Sequence, residues 1–215
     1  MMKTAIVFDL DGTLLDTLPD LLGATNHILR EAGYPEVSYS HLRGVVGNGA
    51  ATQIRKCLPE GTPESEVERL LPIYKAWYSD HCRLETAPYP GICQALQDLG
   101  DFPIAIVSNK PDTAVKALCA DFFPGIYALG EIPGCPRKPA PDMVFQALRH
   151  LGADRCIYVG DSEVDLLTAK NIGCPCLSVA WGFRDRAVLE QSGAAHICDR
   201  VSDLAPMLKA VAASL

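Results

Sequence analysis

Residues 5–13, AIVFDLDGT, leave the chain little choice of architecture. Ala5 to Phe8 are apolar without alternation, the pattern of a strand buried on both faces. Such a strand needs covering layers on each side, which is the economy of an α/β fold. The run ends on Asp9, and Asp11 follows two places later. In extended chain, residues two apart point the same way, so both carboxylates face one pocket. Gly12 permits a tight turn and close backbone approach. A plain Asp-Gly turn accounts for Asp11 and Gly12. It does not account for an acid, Asp9, ending a hydrophobic strand.

Similar short runs recur at 103–109, 125–131, 156–161 and 176–182, with a weaker one at 195–199. Between them lie helical patterns at 90–100, 141–152 and 165–173, the last two closing at Gly152 and Gly173 as C-caps. Strands alternating with helices predict a doubly wound, mostly parallel, Rossmann-like sheet. Residues 16–83 break the rhythm. Helix patterns fall at 17–33, 38–43, 49–58 and 63–82, with no convincing strand. Thr17 and Asp20 match a capping box, with Pro19 in the first turn. The organisation expected is a core of residues 1–15 and 84–215 with a small helical insert at 16–83.

A net charge of −7 without a basic patch argues against nucleic acid as a partner. No apolar run approaches ~18 residues, so no membrane span is expected. Nine cysteines, an odd number with no C-x-x-C, lack zinc or thioredoxin spacing and suit a reducing, cytoplasmic setting. Cys174 and Cys176 read as small buried residues beside a strand. The expected partner is a small molecule, bound by a monomer or homodimer.

In an open parallel sheet, sites form at the carboxyl ends of strands. Four such places carry polar groups: Asp9 and Asp11; Ser108 and Asn109 in SNK; Asp161 and Asp165 in GDSEVD; and Lys138 in the loop RKPAPD. Singly, several have modest explanations. Ser162 and Asp165 match a capping box. SNK could be a polar turn, and a lone lysine is ordinarily solvated. Glu163, between the two acids, reads as solvent-facing. Together, four carboxylates and one ammonium carry a charge near −3. Two like charges ~4 Å apart repel by ~4 kcal/mol at an effective dielectric of 20. Such a pocket calls for a cation, and all-oxygen ligands favour Mg²⁺. An anionic phosphate could then enter, met by Lys138 and Ser108.

DLDGTLLDT, SNK, KPAPD and GDSEVD, in that order, resemble the haloacid dehalogenase-like phosphohydrolases across nearly the whole chain. The insert resembles the helical cap of the subgroup that includes phosphoglycolate phosphatase and β-phosphoglucomutase, and RGVVGNGA (43–50) is most similar to the former. The resemblance implies Asp9 as nucleophile, forming an aspartyl-phosphate, and Asp11 as the acid and then the base. It implies Mg²⁺ held by Asp9, the Asp11 carbonyl and Asp161, with Asp165 further out. Ser108 and Lys138 would bind the phosphoryl group, and Asn109 would support it through its loop. The cap would close over the site on hinges near Leu14–Thr17 and Leu84–Pro90. Arg43 and Asn48 are candidate substrate contacts, a carboxylated substrate such as 2-phosphoglycolate suiting an arginine. Arg43 reads equally well as an exposed helix-end residue, and Asn48 as a plain turn.

A phosphate ester of a small molecule is therefore the expected substrate. A phosphomutase would use the same core. A binding protein without catalysis is the non-enzyme alternative, and the intact acid set speaks against it. A dehalogenase would have little use for Asp11. In a phosphorylated receiver module the Lys-Pro follows the last strand, whereas further strand patterns follow Lys138.

Overall fold

The computed structural model describes residues 2–215. The chain opens with β1 (Thr4–Phe8) and a two-residue strand, β2 (Leu15–Asp16). Four helices come next: α1 (Leu18–Glu31), α2 (Tyr39–Val45), α3 (Ala50–Cys57) and α4 (Glu64–His81). A second short strand, β3 (Ala87–Pro88), returns the chain. The remainder alternates: α5 (Ile92–Asp98), β4 (Ile104–Pro111), α6 (Asp112–Phe122), β5 (Tyr127–Glu131), α7 (Asp142–Leu151), β6 (Arg155–Gly160), α8 (Glu163–Ile172), β7 (Cys176–Val179), α9 (Arg186–Gln191), β8 (His196–Cys198) and α10 (Leu204–Ala213).

Six strands form one sheet in the order β5-β4-β1-β6-β7-β8, every pairing parallel. The order reverses at β1, which lies between β4 and β6, so the first strand ends at the switch point where open α/β sheets place their ligands. Both faces are buried. Ile6, Phe8, Ile106, Ile157 and Val159 belong to one core with Leu96 and Leu208. The alternate residues Ala5, Val7, Ala105, Val107 and Tyr158 belong to the other, with Met143, Val144 and Leu148. This is why the strands read as unbroken apolar runs. The expected α/β class, with a parallel doubly wound sheet and an inserted helical region, is the observed one.

The helices α1–α4 pack on one another through Ile28, Leu42, Ile54, Leu70 and Tyr74, and their core is continuous with one side of the sheet. Among the described residues, no helix is long and apolar enough to cross a membrane. The linkers into and out of the helical region are not bare loops. β2 and β3 pair antiparallel, Leu15 opposite Pro88 and Asp16 opposite Ala87, a ribbon that the sequence pattern did not predict.

The capping box expected at Thr17 does not form. Thr17 lies near αR, with φ −103° and ψ −1°, and makes no side-chain cap bond. Its hydroxyl donates instead to Asp11 Oδ1 at 2.7 Å. Asp20, the other half of the expected box, accepts main-chain N–H groups from the returning linker. Both polar side chains have stronger uses than the end of their own helix. The box expected at Ser162 and Asp165 does form.

Candidate active site

The ends of β1, β4, β6 and β7 converge beneath the helical region. Between them lies a cavity walled by both the strand ends and the helices, the usual place for a small-ligand site in such a sheet. Asp9, Asp11, Ser108, Asn109 and Asp161 line it from the sheet side. Lys138 and Asp165 lie just beneath, both buried and in contact with that wall.

Asp9 follows the last residue of β1, and its main-chain N–H donates to the Val159 carbonyl on β6. Its Oδ1 accepts the Leu10 N–H at 2.7 Å and lies 2.9 Å from Lys138 Nζ. The same ammonium lies 2.9 Å from Asp165 Oδ1. Asp165 Oδ2 accepts from the Ser162 hydroxyl at 2.6 Å and the Ser162 N–H at 3.2 Å. Asp165 therefore both caps its helix and holds a lysine. On the far side of the cluster, Asp161 Oδ2 accepts the Phe183 N–H at 2.6 Å.

Asp9, Asp161 and Asp165 each offer an oxygen within 4.8 Å of the others. Burial, then the neighbouring acids, push the Asp9 carboxyl up to about 7, although Lys138 opposes the rise. Burial also drives Asp161 well above the carboxylate range, with Asp165 and Asp9 adding to it. For Lys138, burial disfavours the charge, but Asp165 and Asp9 outweigh it and hold its pKa well above the ordinary lysine value. Three crowded, dehydrated carboxylates, all oxygen donors, fit a hard divalent cation. Asp11 stands apart from this cluster. Its carboxylate turns to Thr17 and to Lys110, whose Nζ is 2.7 Å away.

Asn109 braces its neighbour loop. Its Oδ1 accepts the Lys138 N–H at 2.8 Å and its amide donates to the Lys138 carbonyl at 3.0 Å. The same amide reaches the Gly47 carbonyl in the helical region at 3.2 Å. Ser108 is buried in the cavity wall, its Oγ accepting the Lys110 N–H at 3.2 Å.

Two expected substrate contacts are not in the cavity wall. Arg43 reaches from α2 to the loop after β7, donating to the Gly182 carbonyl at 3.0 Å and Asp185 at 2.9 Å. Asn48 lies in the turn between α2 and α3, where its neighbours Gly47 and Gly49 line the cavity and it does not. The arginine that does line the cavity is Arg184, from the loop after β7. It donates to the carbonyls of Arg43 and Val46, each at 2.9 Å, and pairs with Glu163 at 2.9 Å. Glu163 is thus a partner of Arg184 and not the free surface acid its position suggested.

Lys110 was also passed over in the sequence, where Ser108 and Asn109 were the candidates in SNK. The strand β4 in fact runs to Pro111. Lys110 lies on that extension, where the pairing with β5 is irregular between Val107 and Pro111, and it lines the cavity beside Ser108 and Asn109. Lys110 is buried, paired with Asp11, with Nζ 4.7 Å from the centre of the Tyr78 ring. Four carboxylates thus face two ammonium groups, not one.

The family model described as haloacid dehalogenase-like hydrolase matches residues 6–179. Among curated proteins, the phosphoglycolate phosphatase of Rhodobacter capsulatus is 36% identical over 196 residues, covering 85% of this chain and 87% of its own. That of Mesorhizobium japonicum is 34% identical over 202 residues, covering 88% of each. A crystal structure of a protein from Lactobacillus delbrueckii subsp. bulgaricus superposes with a TM-score of 0.90 at 35% identity, over 97% of this chain and 99% of that one. With β1 ending at the switch point on an acid that faces two more across a buried cluster, and with the model match spanning most of its length, this chain belongs to the haloacid dehalogenase-like hydrolase family.

Proposed function

We propose that the protein is a Mg²⁺-dependent phosphatase of small phosphomonoesters, acting through an aspartyl-phosphate on Asp9, with 2-phosphoglycolate as its substrate. The observation that carries the reading is the setting of Asp9. Its Oδ1 is held by Leu10 N–H and Lys138, which leaves Oδ2 to meet phosphorus. Asp9 and Asp161, with Asp165 behind them, would hold the ion, and residue 11 would contribute its main-chain carbonyl. When bound, Mg²⁺ screens the charge of the carboxylate and of the phosphoryl oxygens.

In the first step an Asp9 oxygen attacks phosphorus and the ester P–O bond breaks. Asp11 gives its proton to the departing oxygen. In the second, Asp11 takes a proton from a water that attacks the same phosphorus. Inorganic phosphate leaves and Asp9 is restored. Lys138 and Ser108 meet the charge that builds on the phosphoryl oxygens, and Asn109 fixes the Lys138 backbone. Residues 16–83 act as a cap over a core of residues 1–15 and 84–215, closing on the β2–β3 ribbon and excluding bulk water. The names of the curated relatives support 2-phosphoglycolate as the ester. Nine free cysteines fit a cytoplasmic setting.

Phosphate release from 2-phosphoglycolate, sugar phosphates, nucleoside monophosphates and pyrophosphate, with Mg²⁺ and with a chelator, tests the reading. Mg²⁺-dependent release, fastest from 2-phosphoglycolate, is the expected result. Pure, folded protein that releases phosphate from none of them overturns it.

A further inference from the structure

We propose that Lys110 selects the leaving group, binding a carboxylate carried one carbon from the ester oxygen. The inference rests on the phosphatase reading and deepens it. The helical side of the cavity is built from Gln53, Tyr74, Tyr78 and the apolar Leu21, Val46 and Ala50. Gln53 and Tyr74 are occupied with each other, the Gln53 amide donating to Tyr74 at 3.1 Å and to Thr25 at 2.9 Å. Two polar groups are left for a ligand. One is the Tyr78 hydroxyl, buried and without a hydrogen-bond partner. A buried hydroxyl lacking an acceptor is costly to keep, and a carboxylate supplies one. The other is the Lys110 ammonium, which has three N–H donors and a single carboxylate partner, Asp11.

The distances set the size of the guest. A proton donor must lie ~2.6–3.2 Å from the ester oxygen it serves. Lys110 Nζ lies 2.7 Å beyond the carboxylate of Asp11, the proposed donor. That contact and the Thr17 bond both fall on Asp11 Oδ1, so Oδ2 serves the ester, and the ammonium stands within ~8 Å of the ester oxygen. The oxygens of a carboxylate joined through one methylene lie three covalent bonds, up to ~3.6 Å, from that oxygen. One hydrogen bond of ~2.8 Å then closes the gap. The arginine expected to read such a carboxylate, Arg43, faces Gly182 and Asp185 instead.

The test compares 2-phosphoglycolate with 2-hydroxyethyl phosphate, equal in chain length and neutral at the far end. Lys110→Met should cut kcat/KM for 2-phosphoglycolate by roughly 100-fold, mostly through KM, and cut the neutral ester by less than about tenfold. Tyr78→Phe should show the same selectivity at roughly fivefold. In an Asp9→Asn background, where binding is read without turnover, Lys110→Met should raise the Kd for 2-phosphoglycolate alone. Equal losses on both esters would mean that Lys110 acts only through Asp11 and would overturn the proposal, as would no loss. If the wild type hydrolyses both esters without preference, the selection fails and the phosphatase reading stands. If it hydrolyses neither, yet Lys110 still governs 2-phosphoglycolate binding, the phosphatase reading fails and the selection stands.

Discussion

The carboxylate of Asp20 on α1 accepts the main-chain N–H of Thr86, Oδ2 lying 2.9 Å away across the point where the chain returns from its helical region. Leu84 and Glu85 donate to the same carboxylate at 3.1 and 3.0 Å. Three backbone donors on one buried acid tie the returning linker to α1. Hydrogen bonds to a charged group are worth about 1.5–3 kcal/mol, and stranded buried donors cost more. Asp20→Ala should therefore lower unfolding stability by ~3 kcal/mol, and Asp20→Asn by about half as much, since the amide keeps one acceptor oxygen. Urea unfolding measures both. An alanine variant as stable as the wild type would show that the three bonds are made equally well with water.

Asp9→Asn keeps the shape of the side chain and can still accept the Leu10 N–H. It removes the oxygen nucleophile. Turnover of 2-phosphoglycolate should fall by about 10⁴-fold or more, while the melting temperature stays within a few degrees. Stopped assays for released phosphate settle this, and retained activity would move the nucleophile elsewhere.

The mutual repulsion of Asp9, Asp161 and Asp165 should make the fold respond to a divalent cation. An ion that binds only the native state stabilises by ~2.7 kcal/mol at a hundred times its Kd. Unfolding curves in chelator and in saturating Mg²⁺ should differ by about that amount. In Asp161→Asn, the difference should shrink below ~1 kcal/mol, because one of the three carboxylates is gone. An unchanged Mg²⁺ response in this variant would place the ion away from Asp161.

Arg184 donates to the carbonyls of Arg43 and Val46 at the end of α2, where a helix favours positive charge, and is anchored below by Glu163. Its planar fork reaches all three, which a lysine cannot match. Arg184→Lys should raise KM for 2-phosphoglycolate by about tenfold and leave stability nearly unchanged. Steady-state kinetics with thermal melting separates this effect from simple unfolding.

The sheet was legible because its strands are buried on both faces, which writes them as unbroken apolar runs such as Ala5–Phe8. The acids at their ends stood out as breaks in those runs. What escaped were residues whose partners lie outside their own helix or loop. Thr17 and Asp20 carry a local capping pattern, yet one serves Asp11 and the other the linker at 84–86. Arg43 and Arg184 could not be told apart by pattern, because which of them lines the cavity depends on how the loop after β7 meets α2. Lys110 could have been found. Extending β4 through SNK would have placed its ammonium, with Ser108 and Asn109, at the carboxyl end of a core strand.

The closest test of the site's geometry is a single methyl group. Gly182 approaches Asp161 so nearly that a Cβ there would meet the Gly12 carbonyl and the Asp161 side chain. Its φ is outside the left-handed region, so Gly182→Ala carries a packing penalty and no backbone strain. Overpacking costs ~1–3 kcal/mol where side chains can give, and more here, because the Gly12 backbone carbonyl must shift along with the Asp161 side chain. Gly33 offers the opposite case. Its φ of +78° is left-handed, and nothing lies within 4 Å of the position a Cβ would take. Gly33→Ala should cost roughly 1 kcal/mol of backbone strain and leave hydrolysis untouched. Assayed well below both melting temperatures, where each variant is folded, the two should differ by at least tenfold in Mg²⁺-dependent kcat/KM, with Gly182→Ala the poorer. Were the folded variants equally active, the close approach of Gly182 to Asp161 would have no part in the chemistry.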